Sequence, residues 1–146
     1  MTVTSKTIAL TILAGSIIFF LWALTNTRQT KTVNTIPAQE SSEANVSVTV
    51  TPRVLFTNEK PVFDIAFETH SVDLAFDVTA IAILKDQNGN DLGDPKWDGS
   101  PPGGHHRSGS LSFSKPLPQT TQQVLLTLKD IAGVVKRTFT WEVKAQ

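Results

Sequence analysis

The chain has 146 residues, enough for one domain with an appendage rather than for two full domains. Lysine plus arginine and aspartate plus glutamate number 13 each, so the formal net charge is zero and a nucleic-acid partner is not expected. Because the chain has no cysteine, a disulfide framework, a thiol nucleophile and a cysteinyl zinc site are excluded.

An uncharged run of 19 residues, residues 7–25, follows a short flank at residues 1–6. A helix of that length spans about 28 Å, close to the roughly 30 Å hydrocarbon layer of a bilayer. A cleaved signal peptide has a shorter apolar core and a small-x-small exit site, which residues 23–25 match poorly. We therefore expect an uncleaved, single-pass anchor. Basic residues flank it on both sides, so the extracytoplasmic placement of the C-terminal domain is expected by analogy with other anchored β-domains rather than from charge.

Residues 26–45 are polar and rich in Thr, Ser and Asn, with neither a helical nor an alternating apolar period. Such a segment cannot bury enough apolar surface to offset the entropy lost on ordering. It is predicted to be a flexible linker between the anchor and a folded domain over residues 46–146.

Beyond residue 45, apolar and polar side chains alternate, as is typical of half-buried strands. The alternating apolar positions are Val46, Val48 and Val50; Phe63, Ile65 and Phe67; and Val72, Leu74 and Phe76. Residues 86–90 form a turn cluster, and residues 130–133 separate a last hairpin made of residues 124–128 and 135–143. In its final strand, Val135, Phe139, Trp141 and Val143 are expected to share one face.

These patterns predict roughly six to eight short strands in about 100 residues, without a convincing amphipathic helix. The expected fold is all-β, an immunoglobulin-like antiparallel β-sandwich, since two sheets can bury their apolar faces against each other. A small β-barrel is the alternative, because periodicity does not separate the two architectures.

Residues 95–109 read P-K-W-D-G-S-P-P-G-G-H-H-R-S-G and lack a strand pattern, which predicts a loop longer than a plain connection needs. Trp97 is expected to anchor this loop by packing on a sheet edge. The proline pair stiffens the backbone and the glycine pair permits positive φ. The loop would be ordered and would present His105, His106 and Arg107, which with Trp97 are the candidate binding residues.

The histidines of the chain are His70, His105 and His106. If the fold brings His70 beside the loop, three imidazoles and the Asp73 carboxylate could hold copper(II) or zinc. Adjacent histidines on an extended backbone point to opposite faces, which opposes this arrangement. The simpler alternative is that His70 bonds to a strand-end carbonyl and that His105 or His106 braces the loop against Asp73 or Asp77. Arg107 would brace it likewise, as a fork-shaped donor to a carboxylate. Anion or glycan contact is a third alternative.

Catalysis is not expected from these motifs. No nucleophile-elbow or phosphate-cradling motif is present, and acidic residues facing outward on strands are usually solvated. We therefore assign no catalytic residue and no required cofactor.

Two motifs, F-E-T-H-S-V-D-L at residues 67–74 and W-D-G-S-P-P-G-G-H-H-R-S-G at residues 97–109, are distinctive. They resemble an uncharacterised family of small prokaryotic exported or membrane-anchored proteins. Residues 128–143 are similar to the closing hairpin of bacterial immunoglobulin-like domains. The resemblance covers most of residues 46–143 and implies location and fold, without catalytic or binding residues to carry over.

The sequence thus predicts a membrane-anchored, extracytoplasmic, non-catalytic binding module whose partner would be an envelope protein or a glycan. The alternative function is an envelope metal-binding domain that uses His70, His105 and His106 for copper or zinc.

Overall fold

The computed structural model describes residues 36–145 of the chain. The predicted flank, the anchor at residues 7–25 and the first ten residues of the predicted linker (26–35) lie outside the described residues. Within the described range, no helix is long and apolar enough to cross a membrane.

Eight strands and one four-residue helix form the described region. They are β1 (Gln39–Glu43), β2 (Val46–Val54), β3 (Val62–Thr69), α1 (Val78–Ile81), β4 (Ala82–Asp86), β5 (Pro95–Gly99), β6 (His106–Phe113), β7 (Gln123–Ile131) and β8 (Val134–Glu142).

The strands form two antiparallel sheets, a five-stranded sheet in the order β1-β2-β3-β6-β5 and a three-stranded sheet in the order β4-β7-β8. The all-β class is confirmed, and the two sheets are consistent with the predicted β-sandwich. The closing hairpin, β7 with β8, is also confirmed.

The buried core is made by the inward side chains of both sheets. Val46, Val48 and Val50 on β2 are at most 1 % exposed, as the alternation predicted. The ring centroids of Phe63 on β3 and Trp141 on β8 are 5.4 Å apart, so an aromatic contact joins the two sheets. Val135 does not join this face. It lies next to the hairpin turn and is 74 % exposed, which corrects the expectation for the last strand.

The folded domain begins earlier than predicted, because β1 lies inside the predicted linker. Its residues pair antiparallel with β2, from Gln39 opposite Val50 to Glu43 opposite Val46. As an edge strand, β1 is held by backbone hydrogen bonds and polar contacts rather than by an apolar face, so its composition gave no strand signal. Residues 39–43 are therefore part of the sheet rather than a flexible linker.

The prediction of a strand around Val72, Leu74 and Phe76 is wrong, because residues 70–77 have irregular backbone structure. Leu74 is nevertheless fully buried, so the apolar positions do face inward. The backbone of Leu74 bonds to the loop before β6 instead of to a neighbouring strand. Asp77 then begins α1 by accepting a 2.8 Å hydrogen bond from the Thr79 amide.

The predicted loop over residues 95–109 is mostly a β-hairpin. Its arms are β5 and the start of β6, and only residues 100–105 connect them. Gly99 lies directly opposite Gly109, and a β-carbon at Gly109 would be 2.5 Å from the Gly99 α-carbon. The sequence did not predict these strands because such a close approach of two backbones requires glycine, and glycine usually indicates a loop.

Candidate functional site

A surface cleft of about 510 Å³ lies at one end of the five-stranded sheet. Its walls are the β1–β2 turn, the end of β3 and the start of β6. The side chains that line it include Ser42, Glu43, Ser47, Glu68, His70 and His106. We call it the histidine cleft.

The floor of the histidine cleft is a row of polar side chains across three strands. Ser47 on β2 lies opposite Glu68 on β3, which lies opposite His106 on β6. Side chains in directly opposite positions on one face are close neighbours. Since Phe67 points into the core, its neighbour Glu68 points outward, and Glu68 and His106 are both exposed.

The structure brings two of the three histidines together. The His70 and His106 rings have centroids 6.2 Å apart and are inclined at 77°. His105 does not line the cleft, and its carbonyl accepts a 2.9 Å hydrogen bond from the Thr69 amide. That bond fixes the backbone immediately beside both ring-bearing residues.

The predicted four-residue metal site is not assembled. Across residues 36–145, no group of three or more His, Cys, Asp or Glu side chains is placed to hold a metal ion. Asp73 instead accepts a 2.7 Å hydrogen bond from the Gly104 amide, and His105 lies in the loop before β6. Local loop structure therefore uses one of the proposed ligands and leaves another outside the cleft.

Arg107, predicted to contact a ligand, is a buried brace with 2 % exposure. Its Nη1 donates hydrogen bonds to the carbonyls of Leu74 at 2.8 Å and Phe76 at 2.7 Å, and its Nη2 donates to the Ser100 carbonyl at 3.3 Å. Burial lowers the pKa of the guanidinium, and the charge of Asp77 opposes this shift. The fork geometry was predicted correctly in kind, but its acceptors are carbonyls rather than a carboxylate.

Backbone hydrogen bonds order the connection between β5 and β6, as predicted. The Gly103 amide donates to the Leu74 carbonyl at 2.9 Å, and the Leu74 amide donates to the Gly104 carbonyl at 3.0 Å. Gly103 and Gly104 have φ values of 107° and 79°, a region that other residues rarely adopt. The connection is therefore held against residues 73–74 rather than projected into solvent.

Trp97 stabilises the same hairpin from within β5. Its Nε1 donates a 3.0 Å hydrogen bond to the Ser100 carbonyl, and its ring centroid lies 6.3 Å from that of Phe67. The indole is half-buried and would lie 2.8 Å from a β-carbon at Gly109. Trp97 thus anchors the hairpin as expected, although it lies in a strand rather than in a loop.

Arg137 is a structural residue that the sequence analysis missed. It is 1 % exposed and donates from Nη1 to the Ser41 and Val46 carbonyls at 2.9 and 3.1 Å, and from Nη2 to the Glu43 carbonyl at 2.7 Å. Burial lowers its pKa, and Glu43 opposes the shift. The sequence feature that could have identified Arg137 is that an arginine occupies an inward-facing position of the last strand. Arg137 holds the β1–β2 turn, one wall of the cleft.

A shallower depression of about 300 Å³ continues along the outer face of the same sheet. Ala66, two residues before Glu68 on β3, leaves space there between Thr49 and Ser108. Its far end carries an ion pair of 3.1 Å between Arg53 and Asp64. The accessible outer face therefore extends from the histidine cleft along β3, with both apolar and hydroxyl-bearing residues in the depression.

No protein-family model matches the chain, and comparisons with curated proteins and with solved structures find no match either. The function is therefore inferred from the residues of the site.

Proposed function

We propose that this protein is a non-catalytic binding module displayed outside a membrane, and that the histidine cleft is its binding surface. In this proposal residues 7–25 are the anchor and the folded domain is an immunoglobulin-like sandwich. The uncharged length of residues 7–25 supports the anchor, and the two antiparallel sheets with their closing hairpin support the domain type.

The observation that carries the proposal is the polar row Ser47–Glu68–His106, in which Ser47 is half-buried and Glu68 and His106 are exposed. His70 lies beside the row, and the backbone is braced from both sides. Arg137 holds the turn on one side of the row, and Arg107 holds the irregular segment on the other. A surface that is already ordered loses little conformational entropy when a ligand binds. The braced row is therefore suited to recognition.

The chemistry of the row favours a polar partner. Imidazoles, a carboxylate and hydroxyl groups supply both donors and acceptors, and the outer face beyond Ala66 adds further hydroxyls. An envelope protein or a glycan that offers hydroxyl or amide groups fits this surface. In the proposal His70, Glu68 and His106 make the contacts, while Trp97 and Arg107 position the backbone beneath them.

Site-specific photocrosslinking in membranes of the producing cell tests this proposal. A benzophenone amino acid replaces Glu68 in the cleft or, as a matched control, the exposed Thr138 on the three-stranded sheet. Adducts from position 68 but not from position 138 are expected. Adducts from neither position, or equally from both, contradict a binding surface at the cleft.

The membrane location has a separate test. After a carbonate wash, the full chain should stay in the membrane fraction, and external protease should cleave it in intact cells or spheroplasts. Recovery of the full chain in the soluble fraction contradicts the anchor.

The alternative function, an envelope metal-binding domain, is favoured by one observation, the approach of the His70 and His106 rings. The three-histidine site that the sequence suggested for this function is not formed in the described residues, because His105 does not line the cleft with His70 and His106.

A further inference from the structure

We infer that His70 and His106 form an open two-imidazole site for a divalent transition metal, with copper(II) held more tightly than zinc. The inference rests on the proposed function, because the ion would be part of the binding surface of the histidine cleft. It differs from the site suggested by the sequence in excluding His105 and Asp73.

The ring separation is within reach of a shared ion. An imidazole nitrogen binds zinc or a similar ion at about 2.0–2.1 Å, and the nitrogen lies about 1.1 Å from the ring centre. Two rings on one ion therefore have centres about 5 Å apart at a tetrahedral angle and at most about 6.4 Å apart when they lie on opposite sides of the ion, so a tetrahedral site needs the rings to approach by about 1 Å. The observed centroids are 6.2 Å apart. Both side chains are exposed, so small χ rotations can direct one nitrogen of each ring to a common point.

The backbone beneath the two rings is already fixed. The Thr69 amide donates to the His105 carbonyl at 2.9 Å, and this bond joins the residue before His70 to the residue before His106. The next pair along β3 and β6 is Glu68 opposite His106. The ion therefore meets two ligands on ordered strand ends and does not have to order a loop.

The charges around the cleft favour a cation. Glu43 and Glu68 line it with the two histidines, whereas the nearby guanidiniums of Arg107 and Arg137 are buried and directed at carbonyls. Both carboxylates are exposed in the cleft and attract a divalent ion without being bonded to it, and the charge of Arg137 offsets part of the charge of Glu43.

Only two protein ligands converge here, so the bound ion would keep coordination positions for water or for a donor group of a partner. This arrangement is open, unlike the four-coordinate closure of structural zinc sites. For a given set of nitrogen and oxygen ligands, copper(II) binds more tightly than zinc, which gives the expected order. A partner carrying a carboxylate or an imidazole could then bind through the metal.

The test is copper(II) and zinc titration of the full-length protein in a nonionic detergent, with electron paramagnetic resonance of the copper form. The variants are His70→Ala and His106→Ala, and His105→Ala is the matched control. Together they account for every histidine in the chain. We expect nitrogen couplings from two imidazoles, at least tenfold weaker copper binding in each of the first two variants, and unchanged binding in His105→Ala.

An equal loss in His105→Ala, or no loss in His70→Ala and His106→Ala, overturns the inference. Because both ligands are exposed, the variants should keep the thermal midpoint of the parent, which circular dichroism verifies. The two proposals fail separately. Crosslinks from position 68 without metal binding keep the binding module and remove the metal site, whereas metal binding without crosslinks does the reverse.

Discussion

The guanidinium of Arg107 donates a 2.7 Å hydrogen bond to the carbonyl of Phe76 and lies 5.1 Å from the centre of the same residue's ring. One residue thus supplies both a hydrogen-bond acceptor and a cation–π partner. This pair fastens the irregular segment before α1 to the first residues of β6. His70 lies at the other end of that segment, where the Thr69 amide donates a hydrogen bond to the His105 carbonyl.

Arg107→Lys should destabilise the domain by about 2–3 kcal/mol, since an ammonium cannot reach three separate carbonyls and leaves buried acceptors unpaired. The measurement is the urea midpoint of unfolding. Arg53→Ala is the matched control, because its ion pair with Asp64 is exposed and should contribute less than about 1 kcal/mol. Equal midpoints for the two variants would contradict a structural role for Arg107.

Arg137→Lys should loosen the β1–β2 turn selectively. Arg137 donates to carbonyls at both ends of that turn, so its loss frees β1 more than the rest of the sheet. Amide hydrogen exchange followed by mass spectrometry should show faster exchange in residues 39–45. The Arg107→Lys variant should instead show it in residues 70–77, and the same exchange pattern in both variants would argue against two independent braces.

Gly109→Ala should destabilise the β5–β6 hairpin by about 1–3 kcal/mol, a typical cost of forcing extra volume into a packed site. The added methyl group would lie 2.5 Å from the Gly99 α-carbon and 2.8 Å from the Trp97 indole, and the backbone cannot give way as a flexible side chain would. Thermal unfolding measures the effect. The control is Ser108→Ala at the exposed neighbouring position, expected within about 0.5 kcal/mol of the parent, and a harmless Gly109→Ala would contradict the close strand approach.

The free energy of unfolding should decrease in acid, because Asp86 becomes protonated. Burial alone would raise the pKa of this carboxyl, but hydrogen bonds from the Asn90 side chain and from the amides of Asn90 and Asn88 outweigh it and hold the pKa below its ordinary value of 3.8. Because the folded-state pKa is the lower one, the contribution is fully present above pH 3.8 and is lost as the pH falls through the folded value.

The check on Asp86 is the urea midpoint at pH 6 and at pH 3. The parent should lose stability between the two, and Asp86→Asn should be less stable at pH 6 and lose less on acidification. Asp98→Asn, exposed on β5, is the control and should follow the parent. A parent-like pH response in Asp86→Asn would assign the acid sensitivity to other groups.

The alternation of side chains predicted β2, β3 and the closing hairpin because it reports which face of a strand is buried. It failed at Leu74 for the same reason. Leu74 is buried as the alternation predicted, but the pattern does not show which groups its amide and carbonyl form hydrogen bonds with. Polar β1 and the glycine-bearing hairpin of Trp97 were missed because their hydrogen bonding and close backbone contact are not expressed as an apolar period.

By itself, the sequence determined the all-β class, the inward positions of most strands, the closing turn and the need to order the segment around Trp97. Those properties follow from local backbone geometry and from the burial of apolar surface. Only the tertiary structure decided that His70 meets His106 while His105 stays outside, and that Arg107 and Arg137 face inward to carbonyls. These contacts join residues more than 30 positions apart, and backbone carbonyls, which every residue carries, leave no mark in a sequence.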